Sequence, residues 1–134
     1  MNTAEKFARS VCSSQEIDDI NKSEDRIQMC LVKYIDFKHP TAFYYHVPNG
    51  GKRNKREAFN FKLMGVKAGI PDLVFAEPRG KYHGMYLELK DGDGRVSKDQ
   101  KVTLSELSNR GYYTATARDV ETARDYVEYY LGLK

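Results

Sequence analysis

The sequence predicts an α/β fold in which one mixed β-sheet is flanked by helices. Apolar residues recur at helical spacing in some segments and alternate at strand spacing in others. These segments follow one another in the order α, β, α, β, β, α, β, α, which is typical of helices packed on a sheet. The chain has 134 residues, 40% of them hydrophobic, and such a length suits one compact domain.

The chain divides into an arm and a domain. Residues 1–22 are polar without a strong period, and we expect an N-terminal arm or short helix there. Residues 23–134 are predicted to form a single domain, with no internal repeat or low-complexity run. Cys12 and Cys30 form no C-x-x-C pair and are expected to be reduced, partly buried thiols.

The first two elements of the domain are a helix and a strand. The helix is predicted from Ser23 and ends before Pro40, because proline disfavours helical backbone in the residue preceding it. TAFYYHV (41–47) is rich in aromatic and β-branched residues and is predicted to be a strand. One helical face carries four apolar side chains, those of Ile27, Leu31, Val32 and Ile35.

A second helix should follow the turn PNGG. Asn54 and Glu57 have the spacing of an N-terminal cap, and the helix is expected to run to about Val66. Gly65 or Gly69 could close it, because glycine readily adopts a left-handed conformation. Its apolar contacts are expected from three side chains: Ala58, Phe61 and Leu63.

Two strands then form a predicted hairpin, at 72–76 and 85–90, around a loop that contains proline and glycine. In MYLELK the side chains alternate between the two faces of the sheet. Met85, Leu87 and Leu89 occupy one face, and Tyr86, Glu88 and Lys90 occupy the other.

The last three elements are a helix, a strand and a helix. Ser97 and Gln100 resemble a capping box, and Gly111 is the natural residue to end that helix. YYTATA (112–117) is predicted to be a strand, after which Asp119 can cap the final helix. Its apolar face would be formed by Val120, Ala123, Val127 and Leu131.

Three charged residues lie where they could carry chemistry together. Glu88 and Lys90 project from the same strand face, and the hairpin can bring Asp72 beside them. Two adjacent carboxylates stay ionised only when a cation shares the site, and Mg²⁺ prefers such oxygens. The carbonyl of Leu89 could add a third oxygen, and Lys90 could hold or deprotonate a water molecule.

Four blocks of the sequence carry a resemblance to a known family. They are VPNGGKRN (47–54), GVKAGIPDLVF (65–75), YLELK (86–90) and SKDQ (97–100). In this order they resemble the VRR-NUC nucleases of the PD-(D/E)xK superfamily, especially short standalone phage members. The resemblance covers roughly residues 23–117.

The resemblance implies a restriction-endonuclease-like core and DNA cleavage that depends on Mg²⁺ or Mn²⁺. It makes Asp72 and Glu88 the metal ligands and Lys90 the catalytic lysine. It also implies a role near the site for Gln100. The superfamily often adds a glutamate from the first helix, for which Glu24 is the candidate and Glu16 an outside alternative.

DNA contacts are expected from a basic run and from the start of the third helix. Arg53 belongs to a family block and is the best single candidate. Phosphates favour basic side chains near helix N-termini, although a solvated charge run is equally typical. The run consists of Lys52, Arg53, Lys55 and Arg56, and the helix contributes Lys98.

The resemblance favours a homodimer that cuts branched DNA, as a Holliday-junction resolvase does in DNA repair. A nickase, a flap nuclease and an inactive nucleic-acid-binding module stay open as alternatives. The net charge of +3 says little about partners. With no long apolar stretch and no signal core at the N-terminus, we expect a cytoplasmic protein. The resemblance implies that it is phage- or prophage-encoded and acts in the host cell.

Overall fold

The computed structural model describes residues 24–48 and 54–134, and the predicted arm at 1–22 lies outside them. Within these ranges the elements follow the predicted order. None of the described helices is long and apolar enough to span a membrane. The elements are α1 (Glu24–Lys38), β1 (Tyr44–His46), α2 (Lys55–Leu63), β2 (Leu73–Phe75), β3 (Met85–Leu89), α3 (Lys98–Asn109), β4 (Tyr113–Ala117) and α4 (Val120–Leu131).

The strands of the described residues form one mixed sheet in the order β1-β2-β3-β4. β2 pairs antiparallel with both β1 and β3, while β3 pairs parallel with β4. The predicted hairpin is therefore confirmed. Its register sets Leu73 opposite Leu87, and continuing that register by one residue sets Asp72 opposite Glu88.

The hydrophobic core lies between one sheet face and the helices α1 and α4. β3 alternates as predicted, with Met85, Leu87 and Leu89 fully buried on the core side. Tyr86 and Glu88 therefore project from the opposite face. Helix α1 contributes Ile27, Cys30, Leu31, Tyr34 and Ile35, and helix α4 contributes Ala123, Val127 and Tyr130.

One detail of the predicted helical faces is wrong. In α1, Val32 is only half-buried, whereas Tyr34 is buried and its hydroxyl donates to Glu128 in α4 at 2.5 Å. In α4, Leu131 packs against the core as predicted, and Tyr130 is fully buried as well. A tyrosine can occupy the core because its hydroxyl finds a partner.

The predicted helix caps are confirmed, because each cap side chain accepts a hydrogen bond from the first turn. Asn54 accepts from the Glu57 N–H at 2.8 Å. Ser97 and Gln100 form the full capping box. Asp119 accepts from the Thr122 N–H at 2.7 Å.

Helix α2 differs from its prediction in length and packing. It ends at Leu63, earlier than expected, and Gly65 follows with a φ of +96°. None of its residues is buried: Phe61 is half-buried, whereas Ala58 and Leu63 are exposed. The reason is that α2 borders an open cleft and packs on no element of the described chain over most of its surface.

Candidate active site

Asp72 and Glu88 meet on the sheet face opposite the core. Asp72 directly precedes β2, and the antiparallel register brings it to Glu88 in β3. The Asp72 Oδ2 atom accepts a hydrogen bond from the Leu89 N–H at 2.8 Å. The side chain of Asp72 is thereby fixed against the strand that carries Glu88 and Lys90.

The surroundings of the Glu88 carboxyl group disfavour its negatively charged form. It is only 2% exposed, and its Oε2 atom has no hydrogen-bond partner. Burial, the charge of Asp72 and a hydrogen bond with Asp72 raise the pKa of Glu88 to about 9, against the opposing effect of Lys90. A cation beside the two carboxylates would relieve this situation.

Glu24 reaches the same place from the first residue of α1. It lines the cleft together with Asp72 and Glu88. Burial raises its pKa, Lys90 lowers it, and Asp72 and Asp91 raise it further. In the structure, Glu24 and Lys90 are therefore close enough to Asp72 and Glu88 for their charges to interact. Glu16 lies outside the described residues.

Gln100 connects the start of α3 to the site with both ends of its amide group. Its Oε1 atom accepts from the Ser97 N–H at 2.8 Å as part of the capping box. Its Nε2 atom donates to Glu88 Oε1 at 3.3 Å. The side chain that caps the helix therefore also orients Glu88.

The donor set fits a divalent cation that keeps part of its water. Within residues 24–48 and 54–134, no three His, Cys, Asp or Glu side chains gather closely enough to hold a metal ion. Mg²⁺ is commonly bound through one or two carboxylates plus waters and substrate phosphates. Asp72 and Glu88, with the orphaned Oε2 of Glu88, meet that requirement.

An open cleft of about 1490 Å³ leads to these residues. Its walls are α2, the connection from α2 to β2, and α3. Among the described residues that line it, the basic ones are Lys62, Lys67 and Arg110. These three residues were not predicted from the sequence, although Lys67 lies in the block GVKAGIPDLVF and so carried a signal.

The basic residues that were predicted to contact DNA have a different distribution. Lys52 and Arg53 lie outside the described residues. Lys55 and Arg56 are exposed in the first turn of α2, and Lys98 is exposed at the start of α3. None of these three is among the side chains that line the cleft.

His46 lies beside the candidate site, and the tyrosines lie on both faces of the sheet. The His46 ring donates through Nδ1 to the Asp72 carbonyl at 2.8 Å, so it holds the backbone beside the site. Tyr113 and Tyr130 pack together on the core side, with ring centroids 5.8 Å apart. Tyr112 instead contacts Tyr86 on the active-site face, at 5.2 Å between centroids.

Two comparisons with known proteins find relatives of this fold. A family model of the VRR-NUC domain matches residues 22–120. A solved structure described as a VRR_NUC domain protein is 30% identical, with a TM-score of 0.73, and the match covers 82% of this chain and 88% of that one. Among curated proteins there is no match. Because the family model spans most of the sequence and the solved relative shares the fold, the chain belongs to the VRR-NUC family of nuclease domains.

Proposed function

We propose that this nuclease domain is a metal-dependent DNA endonuclease whose active site consists of Asp72, Glu88 and Lys90. The observation that carries the proposal is the buried carboxyl of Glu88, which has an unpartnered Oε2 beside Asp72 at one end of an open cleft. A purely structural residue at this position gains nothing from being acidic, since burying an unpaired charge is costly.

Each residue has a distinct task in this proposal. Asp72 and Glu88 would hold Mg²⁺ or Mn²⁺, with the Leu89 carbonyl as a third oxygen. When bound, the cation would lower the pKa of a water molecule and neutralise charge on the phosphate. Lys90 would orient the attacking water and accept its proton, or face the phosphate as an ammonium.

In this proposal Glu24 and Gln100 support the site, whereas Asp72 and Glu88 are the main ligands of the cation. Gln100 fixes the orientation of Glu88 through its 3.3 Å contact. The charge of Lys90 acts to lower the pKa of Glu24, so Glu24 would counter the charge of Lys90 at the site. The hydrolysis itself breaks one P–O bond of the phosphodiester, with the water oxygen joining phosphorus and a proton passing to the leaving oxygen.

The test is cleavage of labelled duplex, flap and four-way-junction DNA in Mg²⁺, in Mn²⁺ and in EDTA. We expect cleavage that EDTA abolishes and that Lys90→Ala lowers by at least about a hundredfold, the lower range for removal of a general base. The matched control is Lys81→Ala, which removes an exposed lysine from the β2–β3 loop and should leave the rate unchanged.

Two results would contradict the proposal. Cleavage at an equal rate in EDTA would remove the role of the cation. Tight DNA binding without cutting in either metal, by wild-type protein, would favour an inactive binding module.

We further propose that the substrate is branched DNA and that the enzyme acts as a homodimer, phage- or prophage-encoded, in a bacterial cytoplasm. One site cuts one strand, so paired cuts in a junction need two copies. Support for a second copy comes from α2 and the residue that follows it. Phe59, Leu63 and Met64 are 61%, 71% and 78% exposed, and exposed apolar patches mark interaction surfaces.

Separate experiments test the proposed dimer and the proposed branched substrate. Sedimentation should give about twice the 15.4 kDa mass of the chain. Symmetric paired cuts in the junction would support a resolvase, whereas single cuts in a duplex or at a flap would select a nickase or flap nuclease. A monomeric mass under cleavage conditions would contradict the dimer.

A further inference from the structure

A row of aromatic side chains lies on the same sheet face as Glu88. Tyr45 in β1 and Tyr86 in β3 both pair with Val74 in β2, so the three side chains share one face. The Tyr112 ring meets the Tyr86 ring edge-on at 5.2 Å. The His83 ring meets Tyr112 at 5.6 Å. We call Tyr45, Tyr86, Tyr112 and His83 the aromatic row.

The aromatic row is not part of the hydrophobic core. Tyr113, the neighbour of Tyr112 in sequence, packs against the core cluster, whereas Tyr112 belongs to the opposite face. Tyr45 is 48% exposed on the edge strand. His83 is exposed, and Tyr86 and Tyr112 are half-buried. These side chains therefore present ring surface and polar edges to the solvent.

The aromatic row begins beside the candidate active site. Tyr86 precedes Glu88 by two residues on β3, a separation of about 7 Å along a strand. Tyr45 lies two strands away from Tyr86, roughly 10 Å across the sheet. A base attached to a nucleotide next to the phosphate at Glu88 is thus within reach of the rings.

We propose that the aromatic row binds unpaired nucleobases that flank the scissile phosphate, by stacking on their faces. This inference rests on the proposed nuclease function and names the feature of DNA that the site selects. Bases stack on tyrosine and histidine rings without sequence preference. In a continuous duplex the base faces are covered by their neighbours, so only a branch, flap or single strand exposes them.

Two lysines support a nucleic acid as the occupant. Lys62 and Lys67 line the cleft that opens on the same face. Its third basic residue, Arg110, is paired with Glu106 at 3.1 Å, and the other acidic side chains of the lining are Asp99 and those of the candidate site. Cations at the cleft can hold the phosphate backbone while the rings hold the bases, which is the usual division of labour in single-strand binding.

The test measures DNA binding in EDTA, because removal of the cation should stop the proposed cleavage. The probe is a labelled fork with unpaired nucleotides at the branch, one of them 2-aminopurine, beside a fully paired duplex of the same sequence. We expect Tyr45→Ala to weaken fork binding about tenfold, within the range of one lost stacking contact, and to reduce the 2-aminopurine signal. Duplex binding should change less than about twofold.

Three further variants separate stacking from other causes. Tyr45→Phe keeps the ring and should bind the fork as wild type does. Tyr86→Leu keeps an apolar side chain on β3 and should lose fork binding. Tyr129→Ala removes a tyrosine of similar exposure, 54%, from α4 and should have no effect.

The outcomes distinguish this proposal from the proposed function. If Tyr45→Ala and Tyr86→Leu bind fork and duplex as wild type does, the stacking proposal is overturned, whether or not the protein cleaves DNA. If either variant changes the particle mass while fork binding is retained, the rings contact protein and the proposal also fails. Fork-selective binding without metal-dependent cleavage would support the aromatic row and contradict the nuclease assignment.

Discussion

At the scale of single residues, Glu88 shows how a strand can hold a buried acidic group. Its neighbours Leu87 and Leu89 are fully buried on the core side, so the backbone at Glu88 cannot shift without disturbing the core. The carboxyl on the other face is thereby held in place although its environment disfavours its charge. The packing of the leucines offsets the cost of burying the acid.

The raised pKa of Glu88 predicts a pH-dependent stability of the metal-free protein. A carboxyl whose pKa rises from 4.5 to about 9 on folding binds its proton more tightly in the folded state. Its contribution to stability is therefore full below pH 4.5 and is lost as pH rises towards about 9. In EDTA, urea unfolding across this range should show a falling free energy for wild type, and a flatter profile for Glu88→Gln.

Glu128→Gln serves as the control, because the pKa of Glu128 is lowered in the folded protein whereas that of Glu88 is raised. Hydrogen bonds from Tyr34, His39 and Lys38 lower the pKa of Glu128 despite its burial, so its contribution is present above pH 4.5 and is lost on acidification. This variant should keep the wild-type slope in alkaline buffer. An equal slope in Glu88→Gln and wild type would contradict the prediction for Glu88.

At the scale of elements, the position of α3 depends on one close approach of backbones. Gly69 has a φ of +80°, and a Cβ atom there would lie 2.6 Å from the Asp99 carbonyl oxygen. Thr103 Oγ1 donates to the Ala68 carbonyl beside it, at 3.5 Å. The connection to Asp72 and the helix that carries Gln100 are therefore held together at this contact.

Gly69→Ala should therefore destabilise the protein by more than Gly65→Ala does. Both glycines have a positive φ, +80° and +96°, but a Cβ at Gly65 meets nothing within 4 Å. We expect about 1–2 kcal/mol from the backbone alone at Gly65 and a further loss at Gly69 from the clash. If the two variants have equal free energies of unfolding, α3 can move away from the added methyl group without loss of stability, and this prediction is wrong.

The two functions of Gln100 can be separated at the N-terminus of α3. Ser97→Ala removes the cap and should cost about 1 kcal/mol of stability, while the contact of Gln100 with Glu88 remains. Gln100→Glu keeps an oxygen for the Ser97 N–H but replaces the donor to Glu88 with a second carboxylate. It should lower cleavage far more than Ser97→Ala does, in a nuclease assay paired with thermal unfolding.

The local elements could be predicted from the sequence because their signals are local. Caps such as Ser97 with Gln100, and the alternation around Glu88, depend on residues a few positions apart. The exposure of α2 was not predictable, because its apolar side chains look like core residues whether or not the chain supplies a partner. The cleft-lining Lys62 was missed for the same reason, since the helix face that borders a cleft is set by tertiary packing.

At the scale of the whole molecule, side chains of both charges meet in the cleft. The net charge is only +3. Lys62 and Lys67 line the cleft together with Asp99 and the acidic side chains of the candidate site, and Arg110 there is paired with Glu106 at 3.1 Å. The two lysines can attract a polyanion, and its phosphates need a cation where the acidic groups lie.

The two cleft-lining lysines predict how DNA binding responds to salt. Lys62→Ala and Lys67→Ala should each weaken binding of fork and duplex alike, and each should reduce the slope of log affinity against log salt by about 1. Lys134→Ala, at the exposed C-terminus, should change neither quantity. A fork-specific loss in the lysine variants would show that they read shape and do not merely contact phosphates.

The central place of β3 in the sheet has a further consequence. Its backbone is hydrogen-bonded to β2 on one side and to β4 on the other, whereas α2 buries none of its residues. Amide deuterium uptake should therefore be slowest at Leu87 and Leu89 and fast along α2. Thermal fluctuations that widen the cleft would then leave the strand beneath Glu88 intact, so the molecule can admit a bulky polyanion while its acidic centre keeps its shape.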